Sequence, residues 1–340
     1  MYRVRGLDAI RFVCAFWVVI WHYDVPVPFG HSGGSLPVRL FDMLLHSSFN
    51  GTTAVIVFFV ISGFAIHYPF RHGEKPHWVE YFGRRYVRIG IPMLTVMALL
   101  HFAGPGAWAT EQSVMWSLYA EIIYYTLYPL LRAARWRFGW TPLLALSSLG
   151  ALLLALYDPH GTHFHLYGIQ LNWVIGLASW LIGCVLAEQS DALSAARVPR
   201  IWLWRVGVWA ASTVFLVVRF HTPVGDSWMV TPFAVLVFLW LRQEIRQGRF
   251  HPPLPFLERA GAWSYSLYLV HLPSLWVVSS LHPPIHNQVA MWSFEVALAL
   301  LLSYLFYLTV ERPSHRLARR LKKTGGQTAA LAEPERTAVG

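Results

Sequence analysis

The chain has 340 residues, 56% of them hydrophobic and only 13% charged, with a mean hydropathy of +0.44; so little polar surface cannot cover a soluble globule of this length. A formal net charge of +10 raises nucleic acid as a partner, but the basic residues recur in short clusters between apolar runs rather than along one stripe, so no nucleic acid is expected. The only cysteines, Cys14 and Cys184, lie in apolar runs and read as packing residues, which excludes a disulfide framework.

Arg3 and Arg5 precede the first apolar stretch as in a signal peptide, yet Arg11 interrupts it and no small-residue cleavage site follows, so an uncleaved first span is expected. Measured against the roughly 20 residues that cross a bilayer, apolar runs place spans at 8–27, 51–69, 88–103, 116–131, 141–157, 170–187, 203–219, 227–241, 262–281 and 290–310. With the N-terminus in the cytoplasm, every Lys and Arg except Arg39 and Arg219 falls on the cytoplasmic side, the bias of the positive-inside rule. The sequence therefore predicts an all-α polytopic integral membrane protein, with about ten transmembrane helices and both termini cytoplasmic. Residues 1–315 form the membrane domain, and 316–340 a tail that is basic at first and then disordered. The lipid bilayer is the first partner. No internal repeat of the inverted-repeat transporter kind is evident.

Polar residues inside these spans carry the functional signal. Arg11 and His22 lie 11 positions apart, about 16 Å of rise and about three turns, so they share one helix face at two depths. Asp8 lies close to the same face and is placed to pair with Arg11. Arg11 snorkelling to the inner interface, with His22 at the outer one, is the bland reading; an aligned pair of ionisable groups more often marks function. Glu121 sits about five residues below the outer end of the fourth span, at a depth like that of His22. A His and a Glu meeting there make a general base and its orienting carboxylate, or else an ion pair that only joins helices.

Arg84, Arg85 and Arg88 open the third span, and the last two are helix neighbours that can grip phosphates through forked hydrogen bonds; spacing alone favours a plain topology signal. Ser62 and Gly63 allow close helix packing or approach of a ligand. His271 lies near mid-membrane among the hydroxyls of Ser264, Tyr265, Ser266 and Tyr268, either lining the same cavity or satisfied in the core. The tenth span ends in Glu311, Arg312 and Pro313, where proline is expected to stop the helix. His160, His163 and His165 fit no standard zinc spacing, and no metal is expected. No Walker loop, dinucleotide fingerprint or Gly-x-Ser-x-Gly elbow occurs.

Taken together, Leu7-Asp8-Ala9-Ile10-Arg11 followed by His22, Phe58-Phe59 through Ser62-Gly63-Phe64, Arg84-Arg85 with Arg88 and Pro92, Trp116-Ser117-Leu118 through Glu121, Ser264-Tyr265-Ser266 with Tyr268 and His271, and Glu311-Arg312-Pro313 resemble the membrane acyltransferase-3 family. The resemblance spans nearly the whole chain in family order. It implies an integral O-acyltransferase of the bacterial inner membrane, using acyl-CoA, by expectation acetyl-CoA, as donor and a carbohydrate or lipid-linked glycan hydroxyl as acceptor. On this reading His22 is the base with Arg11 and Glu121 as its catalytic partners, Arg84, Arg85 and Arg88 hold the coenzyme A phosphates, and Ser62, Trp116, Tyr265 and His271 contact substrate. An acyl-histidine intermediate is also chemically compatible with the sequence. Some relatives carry a fused hydrolase-like domain, so either direct transfer or a separate periplasmic partner is expected here. A proton-coupled transporter or flippase built on His22 and Glu121 is the alternative, and a catalytically dead scaffold a weaker one.

Overall fold

The computed structural model describes residues 4–26, 35–161 and 167–331, with side chains at 105–114 and 322–331 left aside. His31, His163 and His165 lie outside the described residues. Among those described, the regular structure is helical throughout. The main helices are α1 (Leu7–His22), α2 (Leu36–Ser48), α3 (Gly51–His67), α4 (Trp78–Ala103), α5 (Pro105–Phe138), α6 (Trp140–Tyr157) and α7 (Gly168–Gln189). They continue as α8 (Ile201–His221), α9 (Ser227–Phe250), α10 (Pro255–Ala260), α11 (Ser264–Leu281), α12 (Gln288–Phe306) and α13 (Arg312–Leu331). Each apolar run of the sequence coincides with one helix, while α2, α10 and α13 are additional.

Seven stretches among the described residues, those containing α3, α4, α6, α7, α8, α9 and α12, are long and apolar enough to cross a membrane. The protein is thus a multi-pass membrane protein. The remaining predicted spans fall on α1, which has only 16 residues, and on α5 and α11, whose apolar runs are diluted by Glu121, His271 and a series of serines and tyrosines.

Helix ends follow local chemistry. Asn50 and Asn287 cap α3 and α12, accepting from the backbone N–H groups of Thr53 (3.3 Å) and Ala290 (2.9 Å). The N-terminus of α1 is capped from far along the chain. The Glu258 carboxylate on α10 accepts from the backbone N–H groups of Gly6 (3.3 Å) and Ala9 (3.1 Å), satisfying donors that a helix start leaves open and complementing its dipole.

Small residues set the closest packing. A Cβ on Gly63 would lie 1.9 Å from the Trp180 carbonyl oxygen, and one on Gly183 2.0 Å from that of Val60, so α3 and α7 meet backbone to backbone. Cys14 and Cys184 are buried free thiols, in keeping with packing roles. At the arginine-rich helix ends, Glu188 of α7 accepts from Arg135 (2.9 Å) and Trp140 (2.8 Å) and lies 3.0 Å from Nε2 of the buried His67, whose Nδ1 is 2.9 Å from the Tyr128 hydroxyl. This knot ties α3, α5, α6 and α7 together. At the other end Arg219, one of the two basic residues outside the charge bias, forms a buried 3.0 Å pair with Asp226.

Pro313 does not end a helix as its sequence position suggests. A π-helical turn at Tyr307–Glu311 joins α12 to α13, and its widened hydrogen-bond pattern, together with the place of proline in the first turn of α13, where no N–H is needed, lets the helix run on.

Candidate active site

A cavity of about 100 Å³ opens between α1, α3, α4, α5 and α11. Arg11, Arg85 and Arg88 supply three guanidinium groups to its wall, and Glu121 a carboxylate. Ser62, Ser117, Tyr125, Tyr265 and Tyr268 bring hydroxyls to it, set among the apolar side chains of Phe58, Phe59 and Ile89.

The polar wall is ordered by specific bonds. Ser62 Oγ donates to Glu121 Oε1 at 2.6 Å, and the Tyr125 hydroxyl donates to the same oxygen. Tyr125 stands one helical turn beyond Glu121, so this partner was open to reading from the i,i+4 spacing. Trp180 Nε1 donates to Ser62 Oγ at 3.3 Å and fixes the serine. The Arg85 guanidinium lies 6.0 Å from the Tyr125 ring centroid, at the outer edge of cation–π range. Glu121 is thus anchored by α3 and by its own helix, and its bonds run to Ser62 and Tyr125 rather than to His22.

His22 meets another imidazole. Its ring centroid lies 5.0 Å from that of His271 on α11. His22 Nδ1 is 2.9 Å from the carbonyl of Val18, and His271 Nδ1 2.7 Å from that of Tyr268. A carbonyl only accepts, so each Nδ1 carries a proton, and in the neutral imidazole the lone pair is then on Nε2. His271 is fully buried, and its Nε2 has no hydrogen-bond partner among the described residues. Its backbone carbonyl accepts from Tyr23 (2.6 Å) and Ser274 (2.7 Å), which holds this stretch of α11 against α1.

Tyr268 connects the two groups. It lines the cavity, its hydroxyl is 2.6 Å from Ser117 Oγ, and its ring centroid is 5.8 Å from that of His271. The imidazole pair thus adjoins the Tyr268 ring, and neither His22 nor His271 lines the cavity itself. Arg11 is 3.8 Å from Asp8, the pairing expected from their spacing, and still faces the cavity.

Other residues singled out in the sequence stand apart. Arg84 donates to Glu80 at 3.0 Å on the face of α4 and does not line the cavity. The Trp116 ring packs edge-on against Phe59 at 6.0 Å, also away from the cavity wall. Tyr265 lines the cavity but donates its hydroxyl hydrogen to the Ile89 carbonyl at 3.0 Å. His160 Nδ1 is within hydrogen-bond distance of the Pro223 carbonyl in the connection before α9.

The arrangement offers a cavity with fixed hydroxyls and a cluster of cationic donors, and next to it two imidazoles, groups suited to proton abstraction beside an anionic donor molecule. Residues 4–308 match the acyltransferase-3 family, described as an acyltransferase domain. No curated protein and no solved structure matches the chain. With the match covering nearly all of its membrane helices, the chain belongs to the acyltransferase-3 family of membrane acyltransferases.

Proposed function

We propose that the protein is an O-acyltransferase of the bacterial inner membrane, with ten spans and both termini in the cytoplasm, which moves an acetyl group from cytoplasmic acetyl-CoA to a carbohydrate hydroxyl at the outer side. The observation that carries this reading is the polar cavity lined by Arg11, Arg85, Arg88 and Tyr268, with the His271 and His22 rings packed next to Tyr268 outside the cavity wall. Three guanidiniums suit phosphates, which they grip by charge-assisted hydrogen bonds. The narrow cavity suits an extended pantetheine arm, while the bulky nucleotide stays at the cytoplasmic mouth.

In the reaction, His22 Nε2 removes the acceptor hydroxyl proton as the oxygen attacks the thioester carbonyl. Arg11, about three turns from His22 on α1, stays with Arg85 and Arg88 at the phosphate end of the donor. The tetrahedral carbon expels the thiolate, which takes the proton from the His22 imidazolium and leaves as the coenzyme A thiol. Ser62, Glu121 and Tyr125 hold the donor's path in shape. Tyr265 has its proton committed to Ile89 and acts by packing.

The test is transfer of label from acetyl-CoA in membranes containing the wild-type chain or His22→Ala, with coenzyme A binding measured in parallel. The expected result is transfer to a glycan fraction that is lost, by about 10²-fold or more, in a variant that still binds coenzyme A. Absence of both binding and transfer in the folded wild type would sink this reading and favour a proton-coupled transporter.

A further inference from the structure

Arg88 is held by a residue of the C-terminal helix. Its Nε donates to Nε2 of His315 on α13 at 3.0 Å. A ring nitrogen that accepts from a guanidinium carries a lone pair, so the imidazole is neutral with its proton on Nδ1. The same Nε2 lies 3.4 Å from Glu311 Oε1. Glu311 is itself buried and fixed by the backbone N–H and hydroxyl of Ser266.

The imidazole therefore stands between a guanidinium and a carboxylate that would otherwise attract each other directly. Without it, a flexible arginine beside a buried carboxylate collapses into a two-pronged pair and spends its Nη donors there. With it, the single Nε–H is tied back and the Nη nitrogens remain the donors that Arg88 can offer to the cavity it lines. The placement of His315 is itself built in, because its neighbour Ser314 donates to the Val87 carbonyl at 2.6 Å, locking α13 to α4 one residue from Arg88.

We propose that His315 is a positioning residue of the donor site, holding Arg88 away from Glu311 so that its guanidinium grips the phosphates of the acyl donor. This rests on the reading that Arg88 binds those phosphates. It makes a residue beyond the matched family region part of donor recognition.

The experiment compares initial rates with acetyl-CoA and with S-acetyl pantetheine, which has the same thioester and no phosphate, for the full chain in membranes. His315→Ala is expected to raise the KM for acetyl-CoA about tenfold, the scale of one charge-assisted hydrogen bond. Its KM for S-acetyl pantetheine and its kcat should stay within about twofold of wild type on the same reasoning. His315→Gln retains an acceptor oxygen and should restore most of the discrimination. His315→Met fills the volume without a comparable acceptor and serves as the reading if the alanine variant does not accumulate. A wild type that prefers acetyl-CoA, with variants that leave the ratio of the two KM values unmoved, overturns the proposal alone. Equal KM values for the two donors in the wild type remove the phosphate site itself, and the proposal with it.

Discussion

Ser62 on α3 donates to Glu121 on α5 at 2.6 Å across 59 residues of sequence, so the carboxylate that the sequence offers as a partner for His22 is engaged on another side. Glu121→Ala removes the acceptor of both Ser62 and Tyr125 and is expected to lower acyl transfer about a hundredfold. Glu121→Gln keeps an oxygen that accepts both hydroxyls and should lose much less. Initial rates of the two variants decide the matter, and equal losses would mean that the negative charge, not the hydrogen-bonded shape, is what transfer needs.

His271 presents a buried Nε2 lone pair beside His22, their rings 5.0 Å apart. The role proposed for His271 is to share, through this lone pair, the proton that His22 gains in the proposed reaction. His271→Phe keeps a planar ring and removes that lone pair, and is expected to slow transfer about tenfold or more while coenzyme A binding persists. Unchanged kcat in this variant would reduce His271 to a packing role.

Gly63 and Gly183 leave no room for a methyl group, since a Cβ on either would meet a carbonyl oxygen of the facing helix at about 2 Å. Gly63→Ala must push α3 from α7. The expected cost is at least the roughly 1–3 kcal/mol of an overpacked core, visible as a lower unfolding temperature in detergent and lower accumulation. A variant as stable as wild type would show that the two backbones are not in contact.

Arg219 and Asp226 pair with side chains only 5% and 1% exposed. Arg219→Ala leaves a buried carboxylate alone and should cost about 3–5 kcal/mol, whereas Arg219→Met with Asp226→Leu replaces both charges by apolar volume and should lie near wild type. Thermal unfolding of the three proteins tests this, and a harmless single substitution would mean that water reaches Asp226.

The bundle was legible from apolar runs alone, because each of them became one helix. The membrane signal is nevertheless weak in α5 and α11, the helices that carry Glu121, Tyr265 and His271. The same polar residues that suit chemistry dilute the hydropathy that reveals a span. Pairings were less legible than elements. Arg11 with Asp8 follows from local spacing, and Tyr125 with Glu121 could have been read the same way. The meeting of His22 with His271, or of Glu258 with the start of α1, depends on how distant helices pack, for which periodicity carries no information. Arg219 was an unexplained exception to the charge bias until the fold supplied Asp226. His315 escaped notice because it lies past the last apolar run, where basic residues read only as topology.

The π turn at Tyr307–Glu311 amounts to one inserted residue in an otherwise continuous α-helical rod. Straightening that turn into ordinary α-helix with every residue kept would rotate everything downstream by about 100° and advance it by about 1.5 Å. His315 would then leave Arg88, and Ser314 would leave Val87, with none of these side chains altered. The angular phase of α13, set by that widened turn, is thus a property on which the proposed donor site depends and which no substitution of a cavity residue can imitate.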